Sequence, residues 1–469
     1  MSSVYASRVP DPPDATALVE AFGRRERSPL EELDATLERI AARDPAVNAF
    51  RLVDAERARE AAARSEERWV RGEPAGLLDG VPVAIKDVLL TRGWPTLRGS
   101  RAIDPGRPWD VDAPSVAALA AHGAVAVGKT TTPEFGWKGV TDGPLDGITR
   151  NPWDPARTAG GSSGGSAAAL AAGMVALALG TDGGGSIRIP CGFCGLPGIK
   201  PTYGRVPAWP ASPFGALAHV GPMARSVRDV ALLLDVLSEP DRRDWTALEP
   251  PAVPFRDPAV EVTGLRIAFS PALGYASVDP EVAALVARAA QRLESLGAHV
   301  EEVDPGFPDP RATFETLWFA GAAKVVADLG DPPPAGLDPG LVRVAVRGSA
   351  ITALDYLRAL QARDALGLRM SEFHASWDLL VTPTLPIPAF EAGADVPAGA
   401  EDPDWTGWTP FTFPFNLTQQ PAGTVPCGFT SAGLPVGLQV VGPRYGDALV
   451  LRAMAAYEAA HPERVVATG

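Results

Sequence analysis

Apolar residues recur at helical spacing through the first seventy positions. Leu33, Leu37 and Ile40 fall on one face. Ahead of them, Ser28-Pro29-Leu30-Glu31 reads as a capping box with Pro in the first helical turn. Residues 54–70 are rich in Ala, Arg and Glu and read as a second helix, so 14–70 is expected to be helical. From residue 80 the pattern shifts to short apolar runs. Residues 81–87 (VPVAIKD) predict a buried strand closed by a charged pair, 115–122 a helix and 124–127 a strand. The alternation continues with a helix at 166–172 and a strand at 175–179. Farther on, strands are expected at 265–269, 299–303 and 378–382, with a helix at 280–296. Strands alternating with helices predict an α/β protein with a central mixed, mostly parallel twisted sheet covered by helices on both faces.

The whole chain, 1–469, is read as one large domain. It divides into N-terminal helices (1–75), a core (76–240), an inserted α/β segment (241–374) and a C-terminal part of the core (375–469). A Pro- and Asp-rich connection, 241–264, opens the insertion. Hydrophobic residues at 46% and charged residues at 21% suit a packed globular protein. Asp and Glu outnumber Lys and Arg, 56 to 42, for a formal net charge of −14. That surface repels phosphate backbones and argues against nucleic acid as a partner. The longest apolar run, 167–179, is too short to span a bilayer and is broken by Gly173. The polar start lacks the apolar segment of a signal peptide. With only Cys191, Cys194 and Cys427, no disulfide framework is expected, which suits a cytoplasmic protein. Cys191 and Cys194 form a C-x-x-C, readable as a redox pair, half a zinc site or two buried small residues. No second ligand pair stands near, so no metal is expected.

The densest candidate chemistry lies in two glycine-rich loops, 160–166 (GGSSGGS) and 180–188 (GTDGGGSIR), flanking one helix–strand unit. Consecutive N–H groups in Gly183-Gly184-Gly185-Ser186 can converge on one point and make an oxyanion site, with a hydroxyl at its end. The bland alternative is a tight turn with a solvated Ser. A serine nucleophile needs a base, and none of the five histidines lies in these loops. Lys86 is the better candidate, because burial at the end of an apolar strand disfavours its charge. At an ordinary pKa of about 10.4 roughly one lysine in 2,500 is neutral at pH 7. A pKa of about 8 raises that to around one in ten. The alternative is an ion pair of Lys86 with Asp87 or another carboxylate.

These loops resemble the amidase signature family of serine hydrolases. The resemblance extends to 80–87, 128–135, Asn151-Pro152-Trp153, 200–205 and 433–439, and covers about residues 20–460. It implies the amidase signature fold and a Ser-cisSer-Lys triad: Ser186 as the acylated nucleophile, Ser162 as a bridge between Ser186 and Lys86 through an unusual cis peptide, and Lys86 as the base. It also implies an oxyanion hole from the N–H groups of Gly183, Gly184, Gly185 and Ser186. Gly136 would line the acyl site, while Ser163, Thr181, Asp182 and Arg188 would orient the loops. Two departures stand out. Gly183 replaces the Thr or other residue usual there, which is expected to loosen the loop. Gln419 stands where Gly is common and is expected to face the leaving group.

Five aromatics at 405–415 are either core or the wall of a pocket for apolar or aryl substrates. Trp137, Trp209 and Phe214 are expected to join that wall, with 207–217 as a candidate gate. The expected function is hydrolysis of apolar or aryl amides, extending to esters and carbamates, without a cofactor, as a monomer or homodimer. One rival is a glutaminase subunit of a tRNA-dependent amidotransferase, which usually carries Gln where Ile189 stands. Another is a P-loop nucleotide-binding protein, since 123–130 (GAVAVGKT) fits the G-x-x-x-x-G-K-T pattern. Here, however, the intervening residues are themselves the apolar strand.

Overall fold

The capping box forms as its sequence dictates. Ser28 Oγ accepts from the Glu31 N–H at 3.2 Å, and Glu31 Oε2 accepts from the Ser28 N–H at 2.8 Å. In this computed structural model, which describes residues 12–460 and 467, α1 (Ala15–Gly23) precedes that cap and α2 (Pro29–Val47) follows it. His461 and residues 1–11 lie outside the described residues. The expected all-helical 14–70 is interrupted by strand β1 (Phe50–Val53) before α3 (Ala55–Arg71). Asn48 supplies the break: it ends α2 in the left-handed region, φ 56°.

The chain continues through β2 (Pro82–Lys86), α4 (Pro114–Ala121) and β3 (Val125–Thr130). Two small ladders follow, β4 (Asp142–Gly143) with β5 (Gly147–Ile148), and β6 (Arg150–Asn151) with β7 (Asp154–Thr158). Next come α5 (Gly164–Ala171), β8 (Leu177–Asp182), α6 (Arg188–Cys194), β9 (Gly198–Lys200), β10 (His219–Ala224) and α7 (Val227–Leu237). The region 241–374 holds β11 (Arg266–Phe269), α8 (Pro280–Ser295), β12 (His299–Glu302), α9 (Arg311–Ala327), α10 (Pro339–Ser349) and α11 (Ala353–Phe373). The remainder is β13 (Leu379–Pro383), α12 (Pro414–Leu417), β14 (Ala422–Phe429), β15 (Pro435–Val441) and α13 (Asp447–Ala460).

Among the described residues, eleven strands form one sheet in the order β1-β3-β2-β8-β10-β9-β14-β15-β13-β11-β12. It is mixed, but the expectation of a mostly parallel sheet needs correction. Parallel pairs flank it, β3-β2-β8 on one side and β13-β11-β12 on the other. From β8 across to β13 every pairing is antiparallel. The β14–β15 link shows why: the Thr430 N–H donates to Leu434 O at 2.9 Å, a turn too short for a parallel crossover.

Side-chain alternation divides the sheet into two faces. Val83, Ile85, Leu177 and Leu179 point into one core with residues of α1, α4, α7 and α13, whereas Ala84 and Ala178 join the opposite core with α2 and α5. By the same period Lys86 shares the face of Ala84, under α5. A third, aromatic core gathers α9–α11 and the loop before α12.

Candidate active site

Lys86 ends β2 completely buried. Its Nζ lies 2.7 Å from Ser162 Oγ, 2.8 Å from Thr181 Oγ1 and 3.0 Å from Ser163 Oγ. Among the described residues no carboxylate pairs with it. Asp87, its neighbour in the sequence, turns to Arg51 (2.9 Å) and Lys129 (3.6 Å) instead. Burial pushes the Lys86 pKa well below its ordinary value, and the charge of Asp182 offsets this only in part. A neutral amine has two N–H donors and one lone pair. Ser163 Oγ gives its proton to Thr181 O (3.1 Å), so towards Lys86 it acts as an acceptor. The Ser162 proton is then free to face the lone pair.

Ser162 follows a cis Gly161–Ser162 peptide. The Ser163 N–H donates to Ser186 O at 3.2 Å, tying the serine pair to the segment that carries Ser186. Gly136 has φ +67°, and a Cβ there would stand 3.2 Å from Ser162 Oγ, so its backbone borders the site closely.

The loop after β8 hangs on Asp182. Its Oδ1 accepts from the Gly185 N–H (2.8 Å), Arg188 Nη2 (2.9 Å) and Asn416 Nδ2 (2.8 Å). Its Oδ2 accepts from Arg188 Nε (3.0 Å) and the Ile187 N–H (3.2 Å). Burial works against this carboxylate, but Arg188, the Lys200 charge and the Asn416 hydrogen bond together outweigh it and hold the pKa well below the usual range. Arg188 itself is fully buried, and its remaining donors reach Thr412 O, Gln439 Oε1 and Asn416 Oδ1 at 2.7–2.9 Å. One expectation changes here. The Gly185 N–H belongs to Asp182, which removes it from the proposed oxyanion donors. The N–H groups of Gly183, Gly184 and Ser186 have no acceptor among the described residues.

Gly183 does not loosen this loop. A Cβ there would stand 2.7 Å from Trp318 Cζ3, so the missing side chain is replaced by an indole. Gly184 meets Phe314 and Trp405 in the same way, each 2.6 Å from a would-be Cβ. Phe214 joins them by stacking on Trp318 at 3.8 Å. Trp318 and Phe314 come from α9, far along the chain, and no pattern in the sequence set them apart from other core positions. Thr412 and Asn416 were likewise missed, although Thr412 Oγ1 donates to Gly184 O at 2.6 Å.

The other expected pocket residues diverge. Trp137 is buried in the aromatic core, and its carbonyl accepts from Trp318 Nε1 at 3.0 Å. Trp209 sits elsewhere: its ring lies under Arg243 at 5.1 Å, against the connection after α7. Gln419 adopts φ +61°, the left-handed conformation that explains why Gly is common there, and its carbonyl accepts from the Tyr203 N–H. Trp405, Trp408, Phe411, Phe413 and Phe415 are all buried, so the loop is largely core. His219 does not face the serines, because Nδ1 lies 2.8 Å from Leu217 O and Nε2 lies 3.4 Å from Lys200 Nζ. The C-x-x-C holds two buried free thiols, near Pro197 O and Ala159 O, and burial raises both pKa values. Among the described residues no cluster of His, Cys, Asp or Glu is placed to hold a metal, and no helix is long and apolar enough to cross a membrane. In the P-loop-like segment, Lys129 is a buried residue of β3 that donates to Leu89 O and Thr96 Oγ1, not a phosphate-facing lysine.

A large α/β domain with a mixed sheet, carrying a buried lysine on a pair of serines beside a glycine-rich loop, defines a hydrolase class rather than a nucleotide-binding one. The chain matches the Amidase family over residues 31–451 and belongs to it. It is 37% identical to the acylamidase of Rhodococcus erythropolis, over 96% of this chain and 95% of that protein. It is 38% identical to a glutamyl-tRNA(Gln) amidotransferase subunit of Synechococcus sp. (strain CC9605), over 93% and 94%. Among solved structures, a bacterial aryl acylamidase of the amidase signature family superposes with a TM-score of 0.92 at 33% identity, covering 98% of both chains. The protein is an amide-hydrolysing enzyme of the amidase signature family.

Proposed function

We propose that this enzyme hydrolyses apolar and aryl amides through an acyl-enzyme on Ser186. The observation that carries this reading is Lys86: fully buried, with no carboxylate partner among the described residues, and 2.7 Å from Ser162 Oγ. In the first step Ser162 passes the Ser186 hydroxyl proton to Lys86 Nζ while Ser186 Oγ attacks the carbonyl carbon. The N–H groups of Gly183, Gly184 and Ser186 receive the developing oxyanion. Lys86 then returns the proton through Ser162 to the leaving nitrogen, the C–N bond breaks, and water attacks the ester along the same relay. An ester or carbamate carbonyl presents the same electrophile, so both fall within reach.

Trp318, Phe314 and Trp405 pack behind the oxyanion glycines as core. The aryl preference therefore rests on similarity to known enzymes, an acylamidase and an aryl acylamidase. The similarity to the amidotransferase protein favours a second reading, a glutaminase that works with partner subunits. Ile189, in place of the usual Gln, and the aromatic surroundings weigh against it. The test is hydrolysis of a chromogenic aryl acyl-anilide at about pH 8, without ATP or metal, by the wild type and Ser186→Ala. Turnover that vanishes in the variant is expected. Turnover that survives refutes the nucleophile. Glutamine hydrolysis together with co-purifying subunits would favour the second reading.

A further inference from the structure

A cavity of about 200 Å³ opens between α3 and α4, on the face of the sheet opposite Lys86. Ile85, the residue before Lys86, forms part of its wall. Ala61, Val116, Leu119, Ala124 and Ala126 complete an apolar lining. The space exists because small residues stand on both α3 and β3 where larger ones would close it. An apolar void of about 150 Å³ is enough for a benzene ring.

The rim has the opposite character. Arg57, Arg64 and Arg68 border it against one carboxylate, Asp112, on a chain of net charge −14. Arg68 is committed to Asp79 (2.8 and 2.5 Å), and Arg57 donates to Arg92 O and packs over Trp94. Asp112 is turned to the Arg92 N–H at 2.6 Å. Arg64 is different. Its side chain is 60% exposed, and its one ion-pair contact among the described residues is Glu60 at 3.7 Å. Its planar fork is free to take a carboxylate at the mouth of the cavity.

We propose that this cleft binds an apolar monocarboxylate, an aryl or short alkyl acid whose body fills the Ala-lined floor and whose carboxylate pairs with Arg64. The site is separate from Ser186, and nothing in the hydrolytic mechanism uses it. Calorimetric titration with 3-phenylpropanoate tests it, with the alcohol 3-phenylpropan-1-ol as the uncharged counterpart. One equivalent of the acid is expected to bind, and the alcohol about tenfold more weakly, as loss of one charge-assisted pair implies. Arg64→Ala, at an exposed position, should weaken the acid by a similar factor and leave the alcohol unchanged. Ala126→Leu should abolish binding of both, with its unfolding midpoint confirming the fold. Acid binding that is unchanged in both variants, equal affinity for acid and alcohol, or no binding up to about 10 mM would each overturn the proposal.

Discussion

Gly183→Thr restores a side chain of the kind usual in the family and so tests whether Gly183 and Trp318 are a matched pair. The new Cβ would begin 2.7 Å from Trp318 Cζ3. That indole has little freedom to yield. Phe214 stacks on it at 3.8 Å, Phe314 at 5.5 Å, Trp405 meets it edge-on at 5.6 Å, and Nε1 is bonded to Trp137 O. Reaching ordinary contact needs a shift of about 1 Å in either the ring or the loop, an overpacking that costs about 1–3 kcal/mol. If the loop moves, the Gly183 and Gly184 N–H groups leave the place where the proposed mechanism puts the oxyanion, which costs about 10²-fold in rate. Guanidinium unfolding and kcat/KM on an aryl acyl-anilide measure the two effects. Trp318→Leu opens the space, so the double variant should recover stability, with a favourable coupling of about 1–2 kcal/mol. Gly183→Thr alone with stability within about 0.5 kcal/mol of wild type and full kcat would refute the pairing.

Further outcomes follow from the buried ionisable groups. The Lys86 pKa lies well below its ordinary value, so kcat/KM should rise with pH through that folded pKa and level off above it. A kcat/KM that does not fall on acidification, down to the onset of acid unfolding, would contradict a neutral-amine base. The linked stability has the same sign: between its folded pKa and about 10.4, Lys86 carries a proton only in the unfolded chain, so stability rises with pH there. Lys86→Met should abolish activity and remove that slope from the wild-type-minus-variant difference, and an unchanged slope would count against the shift. Arg188→Lys keeps a charge but loses the two-pronged hold on Asp182 and the bonds to Thr412 and Gln439. It should cost about 3 kcal/mol in denaturant unfolding, and a loss under about 0.5 kcal/mol would mean that the network is not what anchors the loop.

Local chemistry was legible in the chain. The capping box at 28–31 and the apolar strand closing on Lys86 depend on neighbours a few residues apart and form as read. The two glycine segments are loops before α5 and after β8, although the Gly185 N–H is taken by Asp182. The break at β1 was missed because it turns on one left-handed residue, Asn48, inside a helical pattern.

Long-range pairings were not legible. Asp87 is adjacent to Lys86, and a sequence reading leaves an ion pair between them open. The turn after β2 sends Asp87 to Arg51 and Lys129, and leaves Lys86 to hydroxyls 76 to 95 positions away. Trp318 and Phe314 reach the glycine loop after β8 only because α9 packs across it, and helical periodicity cannot say which apolar face meets which loop. The sequence by itself therefore singled out Lys86, the serines of the two loops and the glycines that let backbone approach them. Tertiary structure alone decided that the lysine is buried with no carboxylate paired to it among the described residues, which loop N–H groups have no acceptor among those residues, and which rings enclose them. Those properties arise from desolvation and packing between segments that meet only when the chain is folded.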